Sequence, residues 1–334
     1  MNEKMQQLMK RAIPALRDVV GLDFGSAGVK AVRIRADGSN KKTVVAADLL
    51  PYPDNLSQKI SLPKRLAAPS AALTMTSLQA VVKLAATKRG QTLSESDYAE
   101  VIGLPKENDF RIAATHLNRK DDEGILIAAI PENEVENLFS LFPVKGPQPV
   151  SLEISGLAAI EACRCGCKDD SEDGCDLVVD AGESVTTVSV LYQGEPYVVR
   201  RFNSGVSSLL NVVSKKLGCE EPIARDIVLS GDVDVSAAFR TVFGGCLRQA
   251  GIAVDFTERR TGARLRRILL VGGLANNVYF QNEFKGGFGM EPSLANPWQT
   301  MMMTRDTLKP ETVATGVCFA AATGAALAYL EDEK

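Results

Sequence analysis

The sequence predicts an α/β protein built twice over, with two related lobes around a shared cleft. Three observations carry this reading. The stretch VGLDFGSAGVKAVRI at 20–34 is an apolar strand ending on Asp23, a turn of small residues, and a second strand. The pattern returns at 176–190 as DLVVDAGESVTTVSV, with Asp180 in the place of Asp23 and Gly182 in that of Gly25. In each copy a Gly-containing turn and a third strand follow, so a whole β-meander repeats, and an internal repeat outranks any single motif. Third, RRILLVGGLANN at 266–277 is a buried strand, a Gly–Gly pair and a helix start, a junction that lets a ligand approach the backbone.

The elements follow in order. Residues 20–35 and 42–50 read as strands, and a Pro-containing connector leads to AALTMTSLQAVVKLAAT, two strand-like pieces around Ser77. SESDYAEVIGL opens on a good cap residue and reads as a short helix. FRIAATHLN and GILIAAI are strands separated by a polar turn. After Pro131, Val135, Leu138, Phe139 and Phe142 fall at helical spacing. PVSLEI is a strand and SGLAAIEAC a helix. In the second half, SSLLNVVSKKLG, EPIARDIVLSG and a long run from Val235 read as helices. Asn276 and Asn277 are cap candidates for the helix after the Gly–Gly pair. The tail ETVATGVCFAAATGAALAYL is a small-residue helix able to pack tightly across a cleft.

Composition narrows the function classes. The chain has 334 residues, 45% hydrophobic and 24% charged, which suits a soluble protein with more than one core. A net charge of −3 and few aromatics give no case for nucleic acid as a partner. No apolar run is long enough for a transmembrane segment. Residues 1–19 read as a leader without signal-peptide features. In it Met5, Leu8, Met9, Ala12, Ile13 and Leu16 sit at helical spacing among Lys4, Lys10, Arg11 and Arg17, which allows either a surface-binding helix or a frayed leader. The seven cysteines fit a reducing compartment. Cys163, Cys165, Cys167 and Cys175 are spaced too closely for an ordinary zinc site and read as loop thiols. The single histidine, His116, sits in a predicted strand and is given no catalytic role, which argues against a His-dependent nucleophilic triad.

A carboxylate closing an apolar strand needs a donor or cation, and a small-residue turn leaves amides free for an anion. Two such units facing each other would wrap phosphates from both sides, while Asp23 and Asp180 hold Mg²⁺ through water. With the Gly–Gly motif, the chain resembles the actin-like (ribonuclease H-like) ATPase superfamily. Within it the chain is most similar to the PilM family of type IV pilus assembly proteins, and less so to FtsA. DFGSAGVKAVRI looks like the first phosphate loop, DAGESVTTVSVLYQGEPYVVRRFNSGVSSL the second, and ILLVGGLANN the adenosine motif. SGLAAIEA and ATGVCFAA would be the interdomain connectors, and LANPW resembles a family segment after the last strand.

The resemblance implies a leader at 1–19, a first actin-like lobe from 20–75 and 151–175, an FtsA/PilM-type inserted subdomain at 76–150 and a second lobe at 176–330. It implies ATP and Mg²⁺ as cofactors. Backbone amides of Gly25, Ser26, Ala27, Gly182 and Glu183 would meet phosphates, with Ser26, Thr186 and Thr187 supplying hydroxyls and Lys30 a charge. Gly205 joins the second loop, while Gly272, Gly273 and Asn276 face ribose and base. Glu153, before the first connector, is the candidate to position water. Three departures stand out. The region before AALTMTSLQ is short, Leu274 replaces a third Gly, and the usual base-clamping Glu and Lys are replaced near Asp226 and Val228. These bear on nucleotide affinity rather than on fold, and turnover is expected to be slow or absent.

The implied role is nucleotide-dependent lobe closure that sets affinity for the cytoplasmic tail of an inner-membrane PilN-type protein. The implied location is cytoplasmic, peripheral to the inner membrane through that partner. Other readings remain open from the residues: an FtsA-like self-associating polymer at a membrane, an actin-fold kinase, and a nucleotide-free scaffold of a type II secretion or pilus platform.

Overall fold

The computed structural model describes residues 17–38, 41–53, 58–86, 94–105, 109–119, 123–166, 174–304 and 316–332. Residues 1–16 of the leader, Cys167 and the acidic stretch after it lie outside the described residues, while 17–19 belong to the first strand. Three strands open the chain: β1 (Arg17–Gly25), β2 (Gly28–Ala36) and β3 (Lys42–Leu50). A single 3-10 turn, Lys64–Leu66, is the only helical element described between β3 and β4 (Ser70–Met75), in keeping with the short connector. β8 (Gln148–Ile154) completes the first half, leading into α3 (Ser155–Gly166). The second half repeats the plan with β9 (Cys175–Ala181), β10 (Thr186–Tyr192), β11 (Glu195–Phe202), β12 (Leu265–Gly272) and β13 (Ser293–Leu294).

The duplication is visible in the sheets. The first runs β14-β3-β2-β1-β4-β8, where β14 is Met302–Met303, and the second runs β11-β10-β9-β12-β13. Setting β14 aside, both read third, second, first, fourth, fifth. In both, the opening three strands are antiparallel and the last two parallel. The second hairpin turns on Gln193 and Gly194, both at positive φ (54° and 76°), the primed geometry that follows strand twist. Four helices fill the second half: α4 (Val206–Leu217), α5 (Glu221–Ser230), α6 (Ser236–Thr261) and α7 (Val278–Phe288). They bury Phe239, Phe243, Phe280 and Phe284 against β9, β10 and β12.

Between β4 and β8 the chain builds β5 (Val81–Ala86), α1 (Glu95–Ile102), β6 (Phe110–Asn118), β7 (Glu123–Pro131) and α2 (Glu132–Ser140). The three strands form a separate antiparallel sheet, β5-β7-β6. Ser94 caps α1 by a reciprocal capping box with Asp97, as the leading SES suggests. His116 sits exposed on β6.

Two helices of small residues tie the halves together. α3 leaves the first sheet and packs Ala159, Ile160, Ala162 and Cys163 on Val178, Leu269 and Val271 of the second. The last helix, α8 (Ala320–Asp332), crosses the other way and buries Ala322, Ala325, Ala326 and Leu327 against Val19, Val32 and Ala72 of the first. The apolar face of α8 thus finds its partner surface on β1, β2 and β4. The approach is close enough to require glycine. A Cβ at Gly324 would overlap the Ala158 carbonyl, and one at Gly21 the Ala322 carbonyl. Trp298, in LANPW, is buried beside this helix and donates from Nε1 to Thr323 Oγ1 at 3.0 Å.

Because a backbone carbonyl cannot turn away as a side chain does, Gly324→Ala is expected to lose about 2–3 kcal/mol of stability in urea denaturation. Gly251→Ala, in α6 where a Cβ meets nothing within 4 Å, should gain about 0.5–1 kcal/mol from helix propensity. Equal effects at the two sites would contradict the close crossing.

Candidate functional site

The cleft lies between the two hairpins. Asp23, near the end of β1, is almost wholly buried, at 3% exposure. Its carboxylate accepts from Ser155 Oγ at 2.7 Å, from Thr74 Oγ1 at 2.8 Å and from Lys30 Nζ at 3.3 Å. Each donor is placed by an element: Ser155 opens α3, Thr74 is its register neighbour on β4, and Lys30 faces it across the first hairpin. Thr76 Oγ1 donates to Ser155 Oγ at 3.2 Å, extending the chain of hydroxyls.

Asp180 faces the same cavity from β9. Burial first, and the charge of Asp23 second, push its carboxyl up to about 6, with Lys30 partly offsetting them. Lys30 itself, though burial disfavours its charge, is held above its ordinary value by Asp23 and Asp180. Two carboxylates thus share a site with one ammonium, the pattern of a place that takes a further cation.

Loops from both halves close the rim. Ser26 Oγ lies 2.7 Å from Ser184 Oγ, joining the first turn to the second across the cleft. Gly272, at φ +90°, lies against Asp180, where a Cβ would be 2.6 Å from its Oδ1. Only glycine brings this loop so near the carboxylate. The cavity these loops enclose is about 90 Å³, below the roughly 300–1,000 Å³ of small-molecule sites, so a ligand the size of a nucleotide requires the lobes to part.

Of the residues singled out by sequence, Asp23, Gly25, Ser26, Ala27, Lys30, Asp180, Gly182, Glu183, Thr187, Gly272 and Gly273 line this cleft. Others do not. Thr186 is buried and donates to the Ser204 carbonyl at 2.8 Å. Gly205 lets the start of α4 press on the second loop, where Val206 N donates to the Gly182 carbonyl at 3.1 Å. Asn276 is exposed outside the lining, and its neighbour Asn277 caps α7 instead. Glu153, expected to position water, lines a second cavity below the inserted sheet, because the cleft at the end of β8 is reached by Ile154 and Ser155.

Sequence reasoning missed Ser155, Ser184 and Arg201 in the cleft and Thr74 buried behind Asp23; only Ser155, directly after a strand and at a helix start, offered a signal. The cysteine cluster is less exposed than a loop of thiols would be. Cys163 and Cys175 are buried, and burial pushes Cys165 and Cys175 up to about 12.

A family model described as "Type IV pilus assembly protein PilM" matches residues 95–329, well over half of the chain. The chain belongs to the PilM family of type IV pilus assembly proteins. A solved structure titled "PilM-PilN type IV pilus biogenesis complex" is similar over 93% of this chain and 98% of that one, with 18% identity and a TM-score of 0.75. At that identity the likeness shows a shared fold. Looser similarities include the ethanolamine utilization protein EutJ from Carboxydothermus hydrogenoformans (16% identity, 96% and 98% of the two chains, TM-score 0.43). Another is the archaeal actin homolog Ta0583 in complex with ADP (14% identity, 93% and 99%, TM-score 0.44). The chain has no match among curated proteins.

The raised Asp180 carries a stability consequence for this PilM-family chain. Between its ordinary value of 3.8 and about 6, the folded state holds a proton that the unfolded state has released. Stability therefore falls as pH rises through that window, by at most about 3 kcal/mol. Asp180→Asn removes the repulsion, so it should be more stable than wild type at pH 8, with the gap closing towards pH 4. Urea midpoints across pH check this; a pH-independent gap would contradict it.

Proposed function

We propose that the cleft binds Mg²⁺ and ATP, and that nucleotide sets the angle between the lobes and thereby the affinity for a PilN-type partner. The observation that carries this is the meeting of the two Asp-bearing hairpins on one cavity. On this reading Asp23 and Asp180 hold the hydrated ion, which relieves the charge that burial and Asp23 impose on Asp180. Amides of Gly25–Ala27 and of Glu183 would face phosphate oxygens, that of Gly182 donating instead to the Val185 carbonyl at 3.0 Å; Lys30 and Thr187 would add charge and hydroxyl, and Gly272 and Gly273 would border the base side. The nucleotide, when bound, supplies a polyanion that joins the loops of both lobes. Among the described residues lining the cleft, the carboxylates are Asp23, Asp180 and Glu183. Glu183 is paired with Arg225 at 2.9 Å, and Glu153 is elsewhere, so hydrolysis is slow or absent.

The second cavity supports the partner half of the proposal. It lies between the inserted sheet and β8, α3 and β11, with an apolar floor of Ile130, Leu152 and Leu157 and a charged rim of Arg111, Glu161 and Arg164. β6 and β8 are both sheet edges, so an extended cytoplasmic tail of an inner-membrane protein could add to either by strand pairing. No helix among the described residues is long and apolar enough to cross a membrane. Attachment to the inner membrane from the cytoplasm would then come through the partner. A nucleotide-free scaffold is the second reading, favoured by the base side: Leu274 is buried in the core and Arg225 is tied to Glu183 and Glu221.

Calorimetric titration of ATP with Mg²⁺ separates the two. Wild type should bind, Asp180→Ala should bind at least tenfold more weakly, and EDTA should weaken wild type similarly; no heat from wild type selects the scaffold. For the partner, Ala113→Arg places a large side chain into the second cavity from an exposed position on β6. It should weaken binding of a PilN-type tail peptide more than tenfold in fluorescence anisotropy and leave the ATP titration unchanged.

A further inference from the structure

The two halves differ along one equivalent row of the sheet, at two positions. Across the first sheet, Asp23 pairs in register with Lys30, and Lys30 with Leu49. Across the second, Asp180 pairs with Thr187, and Thr187 with Arg201. The first row carries its cation on the second strand, where it reaches back to Asp23. The second row carries its cation one strand further out. Arg201 lines the cleft, and its guanidinium leaves the lobe that bears it. Nη2 donates to the Ser77 carbonyl at 2.7 Å and Nη1 to the Ala80 carbonyl at 2.5 Å.

Those carbonyls belong to the link between β4 and β5. The link starts at Thr76 in the cleft and ends in the inserted sheet. It is tightly formed: Ser77 Oγ accepts from the amides of Gln79 at 3.2 Å and Ala80 at 3.0 Å. Elsewhere β11 also touches the inserted subdomain, where the Arg119 guanidinium lies 4.9 Å from the Tyr197 ring. At its start, Glu195 and Pro196 line the second cavity. One strand therefore runs from the partner groove to the cleft.

We propose that Arg201 senses the terminal phosphate of a nucleoside triphosphate and passes its presence to the inserted subdomain by letting go of Ser77 and Ala80. The inference rests on the nucleotide reading of the cleft. The guanidinium donates to two neutral oxygens, and its buried Nε has no hydrogen-bond partner. Burial lowers the pKa of Arg201, so its charge is poorly compensated where it stands. A phosphate oxygen forms a charge-assisted, forked pair with arginine, roughly twice as strong as a bond to a neutral carbonyl. A phosphate within reach therefore wins the guanidinium, the 77–80 turn loses two donors, and β5 is freed to move against β11.

Hydrogen exchange over residues 76–81 tests this on the full chain, with Mg²⁺ and AMP-PNP or Mg²⁺ and ADP as probes and calorimetry as the check on binding. In wild type, AMP-PNP should speed exchange of this segment at least threefold and ADP should not. Arg201→Ala should exchange fast without nucleotide and respond to neither. Arg201→Lys keeps the charge without the fork, so it should bind AMP-PNP more weakly than wild type and, when saturated as judged by calorimetry, show no response at 76–81. A merely structural clamp would give fast exchange in the variants but no nucleotide response in wild type. If wild type binds AMP-PNP with exchange at 76–81 unchanged, or if Arg201→Lys responds as wild type does, the sensor is overturned and the cleft reading stands. If wild type binds neither nucleotide, both fall.

Discussion

Asp23 and Asp180 come from strands of different sheets, and their mutual repulsion has to be carried by packing elsewhere. The crossing of α3 and α8 does this. Each helix starts from one half and lies on the sheet of the other, so separating the carboxylates would strip both helices from their seats. Gly324 against the Ala158 carbonyl, Gly21 against the Ala322 carbonyl and Gly156 against the Thr187 hydroxyl leave no slack in that crossing. Dense packing of this kind transmits strain rather than absorbing it. Ser155 shows the coupling directly: it opens α3 and also donates to Asp23. Any change in how the carboxylates are compensated is felt at the root of the helix that links the lobes.

What the sequence made legible is what strands encode locally. Both hairpins, the third strand of each meander and the strand–Gly–Gly–helix junction followed from alternation, turn residues and the repeat. The convergence of Asp23 and Asp180 followed as well, because duplicated units with one strand order tend to pack face to face. Partners from distant segments left no such trace. Thr74 reads as one polar residue in an apolar strand, and only its register beside Asp23 gives it a role. Glu153 shows the reverse error. Its place before a connector helix suggested the cleft, but Ile154 and Ser155 are the residues that reach it, leaving Glu153 on the other cavity. The tail's small residues pointed to the tight crossing of α8, but not to the surface it seats on, since a helix of Ala and Gly fits any flat apolar surface and tertiary packing makes the choice.

Two copies of one loop could present a pseudo-symmetric site, and a ligand with unlike ends could enter it either way. The structure breaks that symmetry in its charges. Lys30 is hydrogen-bonded to Asp23, whereas its counterpart Thr187 is neutral, and burial followed by the Asp23 charge keeps the Asp180 carboxyl raised. The cation of the second half stands a strand further out, on carbonyls of another subdomain. The inner cleft is thus better compensated on the side of the first lobe than on that of the second. A hydrated cation is favoured near Asp180 and an anion near Arg201. On the proposed reading this fixes the direction in which a magnesium–triphosphate lies. It also confines the response to the lobe whose third strand touches the inserted subdomain. Duplication supplied the scaffold of the site, and the divergence of Lys30, Thr187, Leu49 and Arg201 within it gives the site a direction.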